Sequence, residues 1–153
     1  AGIAEQIGST LTEAGATVDV RPVGDSPSAA DYDAVVVGSG VRAGNWHGAV
    51  KEWVAANADA LKTRPVAFFT ACLTMASEPE KADEVRAYTD ALIAETGVTP
   101  LEIGLFAGMN DPKAFSLPER LILKALKSPQ GDFRDFEAVA EWTRSVAGKL
   151  GVA

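Results

Sequence analysis

Two short runs constrain this chain most: Asp33-Ala-Val-Val-Val-Gly38 and Val66-Ala-Phe-Phe-Thr-Ala-Cys-Leu73, neither of which carries a charge after Asp33. A strand wetted on one face alternates apolar with polar residues. One covered by helices on both faces is apolar throughout, as in parallel sheets. Both runs therefore predict central strands of a parallel sheet, whose neighbours need crossovers of about a dozen residues or more, usually helices.

The flanking sequence supplies those helices. Ile3, Ile7, Leu11 and Ala14 recur at four- and three-residue spacing before Gly15, a helix stop. Val50, Trp53, Val54, Ala58 and Leu61 share one face, with Pro65 ending the connection. Val85, Tyr88 and Leu92 share another in a helix from about Glu80 that closes at Gly97. A last stripe joins Phe136, Val139, Ala140, Thr143, Val146 and Leu150 in a helix from about Asp132. Two further strands are predicted: Thr17–Val23, where apolar and polar residues alternate, and Leu101–Ala107. Helix and strand in this rhythm give a doubly wound α/β domain, its parallel sheet covered on both faces by right-handed crossovers. Such folds ordinarily begin with a strand, whereas this chain begins in a helix, so a strand is expected upstream.

The length of 153 residues suits one domain spanning 1–153. Fourteen Lys and Arg against twenty-one Asp and Glu give a net charge of -7, which disfavours nucleic acid and anionic lipid as non-specific partners. One cysteine, Cys72, and one histidine, His47, exclude an intramolecular disulfide and a Cys/His zinc set, so no metal is expected and a reducing compartment is. The longest uncharged central stretch, Pro65–Ser77, falls short of the ~20 apolar residues a spanning helix needs. The expected protein is cytoplasmic and not transmembrane, with a peripheral position at a membrane left open.

Several stretches carry a resemblance. Val35-Val-Val-Gly-Ser-Gly-Val-Arg-Ala-Gly44 with Trp46 and His47, Phe68-Phe-Thr-Ala-Cys-Leu73 with Glu78-Pro-Glu-Lys81, and Ala107-Gly-Met-Asn110 resemble flavodoxin-like proteins. Within these they resemble the branch of the menaquinone-dependent protoporphyrinogen oxidases. The resemblance implies the flavodoxin-like strand order 2-1-3-4-5. It also implies FMN as cofactor, and a first strand with a Thr/Ser/Gly phosphate loop just ahead of the helix at Ala1, about fifteen residues in all. Ligands of open α/β sheets bind beyond the carboxyl ends of the strands, where the predicted loops Ser39–His47 and Thr70–Thr74 lie.

In that reading the first loop comprises Ser39, Gly40, Val41, Arg42, Ala43, Gly44, Trp46 and His47. Glycines 38, 40 and 44 allow close backbone approach to a flat ring and reach positive φ. Arg42, the one charge from Ala34 through Val50, is placed to stabilise an anionic reduced flavin or stands as a solvated arginine. Trp46 either stacks on the ring or packs under the following helix, and His47 either donates to ligand or starts that helix. The second loop comprises Thr70, Ala71, Cys72, Leu73 and Thr74, with backbone N–H groups facing the ring. Cys72 reads as a small buried hydrophobe or as a thiol activated by His47.

Residues 108–131 hold four basic and two acidic side chains, a basic insertion in an acidic chain. In a short helix after Ser116, Arg120, Lys124 and Lys127 share one face and Leu117, Leu121, Ile122 and Leu126 the other. It reads as a lid on the domain, or as a docking element for an acidic redox partner protein, a quinone-bearing membrane surface or a porphyrin-like anionic substrate. The expected function is FMN-based electron transfer or oxidoreduction of the protoporphyrinogen-oxidising kind. A flavin-free binding module on the same fold and a Cys72/His47 thiol hydrolase are the alternatives.

Overall fold

The computed structural model describes residues 2–42, 45–72, 75, 78–110, 131–132 and 134–151. Three strands, β1 (Val35–Arg42), β3 (Val66–Cys72) and β4 (Glu102–Ala107), lie parallel in that spatial order. The two-residue β2 (Asn45–Trp46) pairs antiparallel with the end of β1, on the side away from β3. Among the described residues, five helices flank the sheet: α1 (Gly2–Glu13), α2 (Gly48–Ala56), α3 (Ala58–Leu61), α4 (Ala82–Thr96) and α5 (Phe136–Ala147). A separate antiparallel pair joins β5 (Met109–Asn110) to β6 (Gly131–Asp132). The helix predicted after Ser116, with Arg120, Lys124 and Lys127, lies outside the described residues.

Period-two alternation in β3 divides the interior into two cores. Ala67 and Phe69 point toward α1 and α5, where they meet Ile3, Ile7, Leu11, Val139 and Val146. Val66 and Phe68 point the other way, toward Val54, Leu61 and Leu92 of α2, α3 and α4. Every residue from Val66 to Thr70 is buried, the mark of a strand covered on both sides. Each buried leucine, isoleucine or phenylalanine contributes about 1.5–3 kcal/mol of transfer free energy, so the two-sided layering rather than helix propensity fixes the fold.

Four sequence expectations are corrected. Thr17–Val23 is not a strand, because no described strand lies beside it to complete a ladder. It passes over α1 instead and ends in a 3-10 turn at Val23–Asp25; a Cβ on Gly8 would lie 2.5 Å from Val20, and Val20 stays 48% exposed. β1 continues past Gly38 to Arg42, since Ser39 and Gly40 still pair with Thr70 and Ala71 and the strand then pairs back on Asn45–Trp46. The helix predicted through Leu61 breaks at Asn57, whose side chain donates to the Trp53 carbonyl at 3.0 Å and accepts the Ala29 N–H at 3.1 Å. The last helix starts at Phe136, not near Asp132, because the Asp135 carboxylate caps it by accepting the Ala138 N–H at 3.0 Å. Phe136 is consequently 37% exposed rather than part of the buried stripe.

Candidate functional site

The register of the parallel strands brings the predicted loops together. Ser39 and Gly40 pair with Thr70 and Ala71, and Cys72 pairs with Ala107, so the carboxyl ends of β1, β3 and β4 form one edge. Among the candidate residues, Ala43, Gly44, Leu73 and Thr74 lie outside the described residues, while Arg42 is described in its backbone, paired with Asn45.

Side chains at this edge divide between inward and outward roles. The buried Ser39 hydroxyl donates to the Gly40 carbonyl at 2.7 Å and accepts the His47 N–H at 2.9 Å, tying the two ends of the first loop together. Trp46 is only 3% exposed. Its ring meets Phe68 edge-on with centroids 5.6 Å apart, and its indole N–H donates to the Thr70 hydroxyl at 2.8 Å. Trp46 and Thr70 therefore support the edge from below, through the α2–α4 core. The Thr70 hydroxyl is also 2.6 Å from that of Thr89 on α4, a residue that sequence reasoning passed over. Its signal was present: Val85, Thr89 and Leu92 recur at inward helical spacing, and all three are buried.

His47 is exposed, and its Nδ1 accepts the Ala49 N–H at 3.3 Å, so it caps α2 as a helix-starting residue does. Cys72 is a buried free thiol, and no hydrogen bond joins it to His47 among the described residues. The geometry of an activated thiol is not assembled here. Farther along the same edge, the Lys81 ammonium is held above the ordinary lysine value by its hydrogen bond and charge attraction to Glu78, with Glu84 and Glu80 adding to the attraction.

The glycines differ from the expectation. Neither Gly38 nor Gly40 has positive φ, and both are extended strand residues. A Cβ on Gly38 would collide with the Phe69 ring, so that position is occupied from within the protein. A Cβ on Gly40 would meet nothing within 4 Å among the described residues. Gly40 thus leaves open space at the sheet's carboxyl edge, on the α1/α5 side, beside the small Ala71.

The flavodoxin domain family matches residues 1–137. The chain belongs to that family. This flavodoxin-domain chain is 26% identical over 156 residues to protoporphyrinogen IX dehydrogenase (quinone) of Escherichia coli strain K12, an alignment covering 95% of the chain and 86% of the relative. The same values hold for the protein of that name from E. coli O157:H7. The Leishmania major protein of that name is 25% identical over 118 residues, covering 77% of the chain and 51% of its own length. The fold class and the redox function implied by the sequence resemblance stand on these matches. No helix among the described residues is long and apolar enough to cross a membrane.

Proposed function

We propose that this flavodoxin-domain protein is an FMN-dependent oxidoreductase, with the flavin ring seated on the carboxyl edge of β1 and β3. The observation that carries this reading is the opening at Gly40 on the carboxyl edge of β1, where a Cβ would touch none of the described residues within 4 Å. A flat ring needs such a gap in the side-chain layer, with backbone groups around it to bond its polar rim. The residues proposed to hold it are the backbone of Ser39–Gly44 and of Thr70–Thr74, with the Arg42 guanidinium and the exposed His47 at its border. Bound FMN supplies the electron-transfer chemistry, and the protein supplies orientation, electrostatics and exclusion of water.

The relatives bear the name protoporphyrinogen IX dehydrogenase (quinone), which supports a reduced tetrapyrrole as electron donor and a quinone as acceptor. The basic face of Arg120, Lys124 and Lys127 is proposed to meet the anionic member of that exchange, either porphyrin carboxylates or a quinone-bearing surface. A titration of the purified protein with FMN, followed by visible absorbance and flavin fluorescence, tests the reading. Saturable binding accompanied by protoporphyrinogen oxidation supports it. A colourless protein unchanged at millimolar FMN overturns it in favour of a flavin-free binding module.

A further inference from the structure

We propose that Thr89, on α4, is a positioning residue for the candidate flavin site: through Thr70 it sets the pose of Trp46, and with Trp46 the β1–β2 pair that carries Ser39–His47. The inference rests on the flavin reading for its purpose, though its geometry stands without it.

A threonine in the middle of a helix is a weak helix former, and a fully buried hydroxyl is costly unless bonded. The usual remedy is a bond back to the carbonyl one turn earlier. Thr10, Thr12 and Thr143 all take it, donating to Gln6, Gly8 and Val139 at 2.7–2.9 Å. Thr89 makes no such bond. Its hydroxyl, fully buried, reaches 2.6 Å across to Thr70 on β3, which in turn accepts the Trp46 indole N–H.

β2 is only two residues long, held by backbone pairing with β1 and by the buried Trp46. It makes two register pairs with β1, and the Trp46 indole ties it to β3 through Thr70. A hydroxyl has one hydrogen and two lone pairs, so Thr70 accepts from Trp46 with one lone pair and shares a hydrogen with Thr89, either hydroxyl donating, which leaves it two fixed partners. Replacing the Thr89 hydroxyl by a methyl strips Thr70 of its second partner, frees the hydroxyl to rotate and loosens the indole. The slack passes to His47, whose N–H closes the loop on Ser39. A crossover helix thus reaches the site from outside it: α4 is joined to Trp46 by hydrogen bonds through Thr70.

Thr89→Val removes the hydroxyl at nearly constant shape, and Thr89→Ser restores it. Amide and indole N–H exchange, read by nuclear magnetic resonance on the full chain, monitors the loop without flavin, with Trp46→Phe assigning the indole signal. In Thr89→Val the Trp46 indole and His47 amide should exchange at least tenfold faster. FMN should bind about tenfold more weakly, and both effects should be absent in Thr89→Ser. Unchanged exchange overturns the proposal, as does faster exchange with FMN affinity unaltered. If the wild type ignores FMN while the exchange signature appears, the loop-setting role of Thr89 stands and the flavin reading falls. Should Thr89→Val fail to fold, Trp46→Phe cuts the same chain from its other end. His47 amide exchange unchanged in that variant would equally overturn the proposal.

Discussion

Gly38 of β1 and Phe69 of β3 are register partners, and the Phe69 ring occupies the space where a side chain on Gly38 would stand. Phe69 is paired on its other side with Gly104 of β4, where a Cβ would come within 2.9 Å of Phe106 and Trp142. A row of Gly, Phe and Gly across three parallel strands leaves room for the rings of Phe69, Phe106 and Trp142 on the α1/α5 side of the sheet. Gly38→Ala forces the ring out of a close-packed layer, and overpacking of this kind typically costs about 1–3 kcal/mol. Urea denaturation should show the midpoint falling with the slope unchanged.

Two residues on, the same face of the same strand gives the opposite expectation. No described residue stands within 4 Å of a Cβ on Gly40, so Gly40→Leu should alter stability by no more than about 0.5 kcal/mol, the ordinary range for a substitution that buries and breaks nothing. It should nevertheless weaken FMN binding at least tenfold by filling the proposed ring position. Equal flavin titrations for Gly40→Leu and wild type would place the ring elsewhere.

This contrast marks how far the sequence was legible. The charge-free runs of β1 and β3 and the stripes of α1, α4 and α5 were readable because burial imposes a period on composition. Thr17–Val23 misled because alternation reports a half-buried surface, and a segment passing over α1 has one without any ladder. At the site, the loops were legible from their position after apolar strands. The division of labour inside them was not. Gly38 and Gly40 look alike in sequence, and only the register with Phe69 shows that one is packed by the protein and the other open. Trp46 was equally readable as ring-stacking or core, and its bond to Thr70 across 24 positions settles its present place beneath the edge. Thr89 escaped notice because a single polar residue in a helix stripe carries no sign of its partner.

Arg64 provides a control at the far end of the sheet. Its guanidinium donates to the carbonyls of Ala29 and Tyr32 at 2.7 Å and to Ala60 at 2.6 Å, fastening the segment before β1 to the end of α3. Hydrogen bonds from charged donors contribute about 1.5–3 kcal/mol each, though three sharing one side chain do not add fully. Arg64→Ala should therefore cost roughly 2–4 kcal/mol in denaturant unfolding. Below the transition its FMN affinity should match wild type, since the residue lies by the amino ends of the strands. A loss of flavin affinity as large as that of Gly40→Leu would mean that the site senses global stability rather than local shape.

The basic face predicted from the sequence for Arg120, Lys124 and Lys127 supplies the last prediction, because a local excess of basic side chains in a protein of net charge -7 gives an anionic partner a place to approach. Replacing all three by Glu should lower the rate of electron transfer to quinone carried in anionic lipid vesicles at least tenfold at low ionic strength. At about 1 M salt, where the screening length shrinks to about 3 Å, the variant and wild type should converge. With a soluble, uncharged quinone the two should agree at every salt concentration, since no charged surface needs to be met. FMN content, read from visible absorbance, should be the same in both proteins. A rate deficit that persists in high salt, or that appears equally with the soluble quinone, would assign these residues to the packing of a lid instead of to docking.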